Sequence, residues 1–216
     1  MNSTGSLLER AKHIVVEGPI GAGKTTLAKR LAEHFSAHLV LEAPETNPFL
    51  TRYYQEGERW TLATQLSFLL RRSELARLPV YQGDERVISD FMLEKDPLFA
   101  GLVLQEDEMR LYEQIRQRVA PPPPQPDLVI YLEAPPAVLI DRIRKRGVDA
   151  EMRLSEAYLN RVFQSYTRFF YDYNRAPIFI VNTGELNPVA NDEDFALLLN
   201  RLKTMRGYRE FFSFAG

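Results

Sequence analysis

The chain has 216 residues, which suffice for one α/β domain with a substantial buried core and are too few for two domains of ordinary size. Its formal net charge of −2 excludes a whole-molecule basic field that would hold a nucleic acid, and its lack of cysteine excludes disulfides, thiolate metal sites and thiol nucleophiles. No stretch has the apolar length of a signal peptide or a membrane span, so we expect a cytoplasmic protein with no membrane partner. We expect a single domain over residues 1–216, with a flexible tail over residues 1–11.

Five short apolar runs, rich in β-branched residues, predict the strands. Each run is almost continuously apolar and does not alternate, which indicates a sheet buried on both faces. In chain order the runs are His13–Glu17, His38–Leu41, Arg86–Ser89, Leu128–Leu132 and Ile178–Val181.

Stretches with helical periodicity separate these strands. Strands that alternate with helices predict a three-layer α/β fold, in which a five-stranded parallel sheet is flanked by helices. Ligands of such sheets bind at the carboxyl ends of the strands. The predicted helices are Thr25–Phe35, Trp60–Leu78, Asp107–Val119, Pro136–Arg146, Ser155–Asn174 and Asp192–Met205.

A Walker A motif lies between the first predicted strand and the first predicted helix, which is the context that this motif requires. Its glycines let backbone N–H groups surround a β-phosphate, its lysine reaches the β- and γ-phosphates, and its threonine hydroxyl ligates Mg²⁺. The sequence therefore predicts a P-loop fold that binds ATP and Mg²⁺, with other triphosphate donors left open. The residues of this site are Gly18, Pro19, Ile20, Gly21, Ala22, Gly23, Lys24, Thr25 and Thr26.

Other classes of P-loop protein fit the sequence less well. The base-reading Asn-Lys-x-Asp motif and the Asp-x-x-Gly switch of GTPases are absent, and the third strand is followed by a single acid, Asp90, rather than the acidic pair of motor ATPases. This pattern favours a compact kinase, in which Asp90 would join Thr25 at the magnesium ion.

Glu42 follows the second strand, where a carboxylate would face the γ-phosphate and could take the proton of an attacking hydroxyl. The alternative is a solvated surface charge.

On the next helix, Gln65 and Arg72 interrupt an apolar stripe. A buried amide can read the edge of a nucleobase, although a glutamine satisfied by backbone and an arginine extended to water are equally compatible with the spacing.

Arg142 and Arg146 stand four residues apart on one predicted helix face, and Gly147 could end that helix before a mobile lid over about residues 145–155. The two arginines could clamp a transferring phosphoryl group. They could also merely offset the helix dipole.

Together these segments resemble the deoxynucleoside kinase family, and most closely its bacterial deoxyadenosine and deoxyguanosine kinases. The resemblance covers about residues 12–182, and only the combination of its motifs is specific. The motifs are Glu17–Thr25, Asn47–Leu50, Gln65–Leu69, Ser89–Phe91 with Phe99 and Ala100, and Asp127–Leu132.

The resemblance implies a role for each matching residue. Glu42 corresponds to the base for the 5′-hydroxyl, Gln65 to the base-reading glutamine, and Phe99 to the aromatic residue that packs on the nucleobase. Tyr54 and Glu151 correspond to partners of the sugar 3′-hydroxyl. The remaining matches are Arg72, which lies seven residues after Gln65 on the same stripe of the helix, and the lid arginines Arg142 and Arg146.

The chain departs from the family pattern at three places. Many members carry Glu-Arg-Ser where this chain has Ser89–Phe91, so the arginine after Asp90 is missing. Lys95 could replace that charge, but it falls where base-selecting members often carry an aspartate. In the lid, Val148 stands where relatives often have an arginine, and Arg153 is the nearest substitute.

We therefore predict a kinase that phosphorylates the 5′-hydroxyl of a deoxynucleoside with ATP, as the homodimer that the resemblance implies. The alternatives are a nucleoside monophosphate kinase of the thymidylate type and a nucleotide-binding regulatory module without turnover. The preferred base stays open, because a glutamine can pair with adenine, guanine or cytosine.

Overall fold

The computed structural model describes residues 6–148 and 151–213, without the side chain of Arg153. Its centre is a parallel sheet in the order β2-β3-β1-β4-β5-β6. Helices flank this sheet, as predicted. The strands are β1 (His13–Glu17), β2 (His38–Val40), β3 (Val87–Ser89), β4 (Leu128–Glu133), β5 (Ile178–Asn182) and β6 (Arg209–Phe212).

The predicted count of five strands is wrong, because β6 adds a sixth at the edge beside β5. Its pairing with β5 is parallel, with Ile178 opposite Arg209 and Val181 opposite Phe212. An edge strand is covered less than a central one, and in β6 only Phe212 is buried. Charged residues are therefore tolerated there, and the strand lacks the continuous apolar character that identified the other five.

The helices are bounded by ordinary signals in the sequence. Ser155 caps α8 by accepting the Tyr158 N–H at 3.1 Å, and Asn191 caps α9 by accepting the N–H groups of Glu193 and Asp194. The helices are α1 (Leu7–Arg10), α2 (Lys24–Phe35), α3 (Leu50–Glu56), α4 (Thr61–Leu75), α5 (Asp96–Val103), α6 (Glu106–Val119), α7 (Pro136–Arg146), α8 (Glu156–Asp172) and α9 (Asp192–Thr204).

Residues 6–11, which belong to the predicted flexible tail, form a capped helix and pack against the main core. Ser6 and Glu9 form a capping box for α1, and Leu8 and Ala11 are buried in the main core. Arg86 donates to the carbonyl oxygens of Leu8 and Ala11, which ties this segment to the start of β3. Residues 1–5 lie outside the described part of the chain.

The main core lies around the two central strands. Ile14, Val15 and Val16 of β1 are fully buried, as are the facing residues of β4, which explains why both strands are continuously apolar. A smaller cluster of Leu69, Ala100 and Tyr112 joins α4, α5 and α6 beside the sheet. Among the described residues, no helix combines the length and apolar character needed to span a bilayer.

The strand order decides which side chains can meet. Because β2, β3 and β1 are adjacent, the residues that follow their carboxyl ends lie next to one another. These are Glu42 after β2, Asp90 after β3 and the glycine-rich loop after β1.

Candidate active site

The loop between β1 and α2 has the shape that surrounds a phosphate. Gly21 has a φ of +84°, and a Cβ at this position would lie 2.8 Å from the carbonyl oxygen of Leu139. A Cβ on Gly18 would lie 2.5 Å from the carbonyl oxygen of Leu132. Side chains are therefore excluded at both positions, and the loop presents its backbone and the N-terminus of α2 to a ligand.

A cavity of about 190 Å³ opens beside this loop and gathers residues from six segments of the chain. Four of the predicted site residues do not line it, namely Gly18, Pro19, Ala22 and Arg142. Those that do are Ile20, Gly21, Gly23, Lys24, Thr25, Thr26, Glu42, Tyr54, Gln65, Arg72, Asp90, Lys95, Phe99, Arg146 and Glu151.

Thr25 and Asp90 are the candidate ligands for Mg²⁺. Thr25 Oγ1 donates to Asp90 Oδ2 at 2.5 Å, and Asp90 Oδ1 accepts the Glu42 N–H at 2.8 Å. Within residues 6–148 and 151–213, no group of three or more His, Cys, Asp or Glu side chains could hold a metal ion. A hydroxyl and one carboxylate fit Mg²⁺, which commonly takes only one or two protein ligands and completes its shell with phosphate oxygens and water.

Five buried charged side chains beside the cavity form a row in which carboxylates and cations alternate. Lys95 Nζ lies 3.1 Å from Glu17 Oε1 and 3.1 Å from Glu42 Oε2. Arg72 donates from Nε to Glu42 Oε1 and from Nη1 to Asp96 Oδ1. None of the five is more than 8 % exposed. Each cation is thus shared by two carboxylates, which is the pairing that burial of charge requires.

This arrangement holds Glu42 as an anion. Burial alone would raise the pKa of the Glu42 carboxyl, but Arg72, Lys95 and Lys24 outweigh that effect and lower the pKa to about 2. Such a carboxylate is ionised at neutral pH and can align an acceptor hydroxyl. It would take the hydroxyl proton only as the new bond to phosphorus forms.

Beside these charged side chains, the lining of the cavity combines one amide with aromatic faces. Gln65 is 5 % exposed, and its side chain has no hydrogen-bond partner among the described residues. Phe99 packs against Tyr166 with 5.8 Å between ring centroids, and Phe68 lines the cavity beside them. An amide next to flat apolar surfaces is suited to a nucleobase, which needs both a stacking face and a hydrogen-bond partner.

Tyr54 and Glu151 line the cavity together with Arg146. Burial raises the pKa of the Tyr54 hydroxyl, and the nearby Glu151 carboxylate raises it further, so this hydroxyl is a neutral donor. Glu151 accepts a hydrogen bond from Arg146, whose side chain is 50 % exposed. The end of α7 and the short 3₁₀-helix Glu151–Arg153 therefore meet at the mouth of the cavity.

Arg142 lies apart from the cavity. It donates to Thr183 Oγ1 at 3.0 Å and to the Thr183 carbonyl oxygen at 2.5 Å, which joins α7 to the end of β5. The structure thus separates the two arginines that helical spacing placed together, and the phosphoryl clamp stays a prediction for Arg146. Of the predicted lid, residues 149–150 and the side chain of Arg153 lie outside the described part of the chain.

Sequence reasoning assigned no role to Glu17 or Asp96. Glu17 ends an apolar strand as its only charge, which made it detectable as a charge in sequence surroundings typical of a core. Asp96 gave no such signal, because it directly follows Glu94 and Lys95. The rest of the lining, which is mostly apolar or aromatic, was also missed. It comprises Pro44, Leu50, Tyr53, Thr64, Phe68, Tyr158 and Tyr166.

Comparisons with known proteins agree with this geometry. The chain is 32% identical over 162 residues to the deoxyguanosine kinase of Bacillus subtilis, an overlap that covers 74% of this chain and 78% of the relative. It is 29% identical over 192 residues to the deoxyadenosine kinase of Lactobacillus acidophilus, with 82% and 88% covered.

A solved structure of the deoxyadenosine kinase from M. mycoides, with the products dCMP and a flexible dCDP bound, superposes with a TM-score of 0.76 at 25% identity. The match covers 89% of this chain and 100% of that one. The model of the family described as deoxynucleoside kinase matches residues 14–205. With that match over most of its length, the chain belongs to the deoxynucleoside kinase family.

Proposed function

We propose that this protein transfers the γ-phosphoryl group of ATP to the 5′-hydroxyl of a deoxynucleoside. The observation that carries the proposal is the position of Glu42. It is held as an anion between Arg72 and Lys95, in the same cavity that Lys24 and Thr25 of the P-loop line.

The P-loop side of the cavity holds the donor. Lys24 Nζ lies 3.2 Å from the Pro19 carbonyl oxygen, so the ammonium stays close to the loop that would surround the β- and γ-phosphates. Thr25 and Asp90 would hold Mg²⁺, which when bound neutralises charge on the β- and γ-phosphate oxygens.

The rest of the cavity holds the acceptor deoxynucleoside. Gln65 would hydrogen-bond the base edge while Phe99 packs on its face, and Tyr54 and Glu151 would bind the sugar 3′-hydroxyl. These contacts orient the 5′-hydroxyl toward Glu42. Positioning of this kind supplies a large part of the rate enhancement in phosphoryl transfer.

In the reaction, the 5′-oxygen forms a bond to the γ-phosphorus while the bond from that phosphorus to the β,γ-bridging oxygen breaks. The electron pair of the broken bond leaves with ADP. The hydroxyl proton passes to Glu42 as the new bond forms, and Lys24 stabilises charge on the phosphoryl oxygens.

A nucleoside monophosphate kinase of the thymidylate type is the weaker candidate. Such an acceptor would bring a phosphate dianion against the ionised carboxylate of Glu42, where the two like charges would repel each other. A regulatory module without turnover is also less well supported, since Glu42, Lys24 and Thr25 all line one cavity.

Purine deoxynucleosides are the first substrates to test, because the bacterial relatives above are named for deoxyguanosine and deoxyadenosine.

We further propose a cytoplasmic homodimer. Support for the dimer comes from the family resemblance, and sedimentation equilibrium would measure the mass of the assembly.

The deciding experiment measures ADP release from ATP with deoxyadenosine, deoxyguanosine, deoxycytidine and thymidine, each beside its 5′-monophosphate. Turnover with nucleosides and none with monophosphates supports the proposal. Turnover confined to thymidine monophosphate would identify a thymidylate kinase, and binding of ATP without turnover of any acceptor would identify a regulatory module.

A further inference from the structure

Lys95 lines the cavity of a chain that lacks the arginine of the family pattern. The third strand is followed by Ser89–Phe91, so no arginine succeeds Asp90. Lys95, five residues further on, is 2 % exposed, and its ammonium lies against the carboxylate of Glu42. It therefore reaches the same acceptor hydroxyl that Glu42 would align.

Glu17 connects this lysine to the P-loop. Glu17 Oε2 accepts the Gly18 N–H at 3.0 Å, and Oε1 accepts the Met92 N–H at 3.1 Å as well as pairing with Lys95. One buried carboxylate thus binds the first peptide of the phosphate loop and the segment that carries the lysine. This link sets the position of the Lys95 ammonium relative to the phosphate loop.

The ammonium of Lys95 retains capacity for a further ligand. It has three N–H donors, and the carboxylates of Glu17 and Glu42 take two of them. Arg72 also has N–H donors to spare, but its planar guanidinium is fixed by Glu42 on one side and by Asp96 on the other. Lys95 is therefore the better placed of the two cations to follow a moving phosphoryl group.

The proposed reaction also changes which group next to Lys95 carries the negative charge. When Glu42 accepts the hydroxyl proton, it becomes neutral and loses its attraction for the ammonium. At the same time, a phosphate monoester forms on the 5′-oxygen that Glu42 contacted. A cation next to that oxygen would exchange one anionic partner for another without leaving its place.

We propose that Lys95 is a catalytic residue that binds the phosphoryl group as it arrives on the 5′-oxygen, and that Glu17 is the residue that positions it. The inference rests on the proposed function, since it assigns a contact to the product of that reaction.

The test compares the affinity of each variant for a nucleoside and for its 5′-monophosphate. The variants of the full chain are Lys95→Met, Lys95→Arg and the double variant Glu17→Gln/Lys95→Met, which avoids a buried carboxylate without a cation if the single variant fails to fold. Lys12→Met is the control, because it removes a lysine whose exposed side chain pairs, within the described part of the chain, only with exposed Asp84. The probes are deoxyadenosine, deoxyguanosine and deoxycytidine with their monophosphates, measured by titration calorimetry.

We expect Lys95→Met and the double variant to bind the monophosphate at least about tenfold more weakly, with nucleoside affinity kept within about threefold, because only the monophosphate makes the charged contact. The kcat should fall by roughly a hundredfold or more, Lys95→Arg should recover part of the monophosphate affinity, and Lys12→Met should match the wild type.

Equal losses of both affinities would show that Lys95 only supports the fold, and unchanged monophosphate affinity would remove it from the phosphate site. Either result overturns the inference while a wild type active on nucleosides upholds the proposed function. A wild type that turns over none of the four nucleosides, deoxyadenosine, deoxyguanosine, deoxycytidine and thymidine, would refute the proposed function and this role together.

Discussion

Replacing Glu42 by glutamine should separate chemistry from folding and binding. Removal of its charge leaves each buried cation with one carboxylate, Lys95 with Glu17 and Arg72 with Asp96. No buried charge is left without a partner. We therefore expect the free energy of unfolding to fall by about 1–3 kcal/mol, the range for lost hydrogen bonds, rather than the 3–5 kcal/mol or so that follows when a buried ion loses its only partner.

The effect on turnover should be larger. A glutamine keeps the shape of Glu42 and one acceptor oxygen, but its amide cannot accept the hydroxyl proton. A positioned general base contributes roughly 10²–10⁴-fold, so kcat should fall by that factor, which corresponds to about 3–5 kcal/mol of activation free energy. Deoxynucleoside affinity should persist, since Gln65, Phe99 and Tyr54 are untouched.

The assay is deoxynucleoside-dependent ADP release, with calorimetric nucleoside binding and thermal melting of the same samples. Glu45→Gln is the matched control, because Glu45 lies three residues further on, is exposed and does not line the cavity. Wild-type kcat in Glu42→Gln, or a loss confined to Glu45→Gln, would refute the assignment of the base.

Three further predictions concern the donor, the sugar and the core. Lys24→Ala should reduce kcat by roughly 10²–10³-fold or more through lost stabilisation of the phosphoryl oxygens, and near-normal kcat would contradict the P-loop assignment. If Tyr54 and Glu151 bind the 3′-hydroxyl, 2′,3′-dideoxynucleosides should lose about 1–3 kcal/mol in kcat/KM, and equal kcat/KM for both sugars would remove these residues from the site. Burial lowers the pKa of His13 from 6.5 to about 4, so the folded state favours the neutral ring. The associated stability is present above pH 6.5 and is lost as the pH falls toward 4, by about 2 kcal/mol between pH 7 and pH 5. Chemical denaturation at both pH values should show this loss in wild type and in the exposed control His34→Gln but not in His13→Gln, and an equal loss in His13→Gln would contradict it.

Much of the fold follows from local patterns in the sequence. The five apolar runs identified five of the six strands to within about one residue. Four of these strands are almost entirely buried, as a continuous apolar run predicts, whereas in the edge strand β2 only Val40 is buried. The Walker A motif likewise located the phosphate loop, since its glycines occupy backbone positions where a Cβ would collide. Strand β6 and helices α1, α3 and α5 escaped detection because each is short, and β6 is only partly covered.

The candidate site was predicted residue by residue, but its connections were not. Periodicity placed Arg142 and Arg146 on one face of α7, whereas the end of β5 binds Arg142 and only Arg146 reaches the cavity. A pattern along one helix does not say what packs beside each of its turns. That neighbour is set by the order of the strands, which brings Thr183 to Arg142.

The sequence by itself determined that this protein has a phosphate loop before a helix, a doubly wound sheet and an acid after its second strand. Only the tertiary structure decided the electrostatic state of that acid. Lys95 is 53 residues from Glu42, and Asp96 is 24 residues from Arg72. Side chains so distant along the chain carry no shared local pattern, and they pair because burial of charge is favourable only where the fold brings opposite charges into contact.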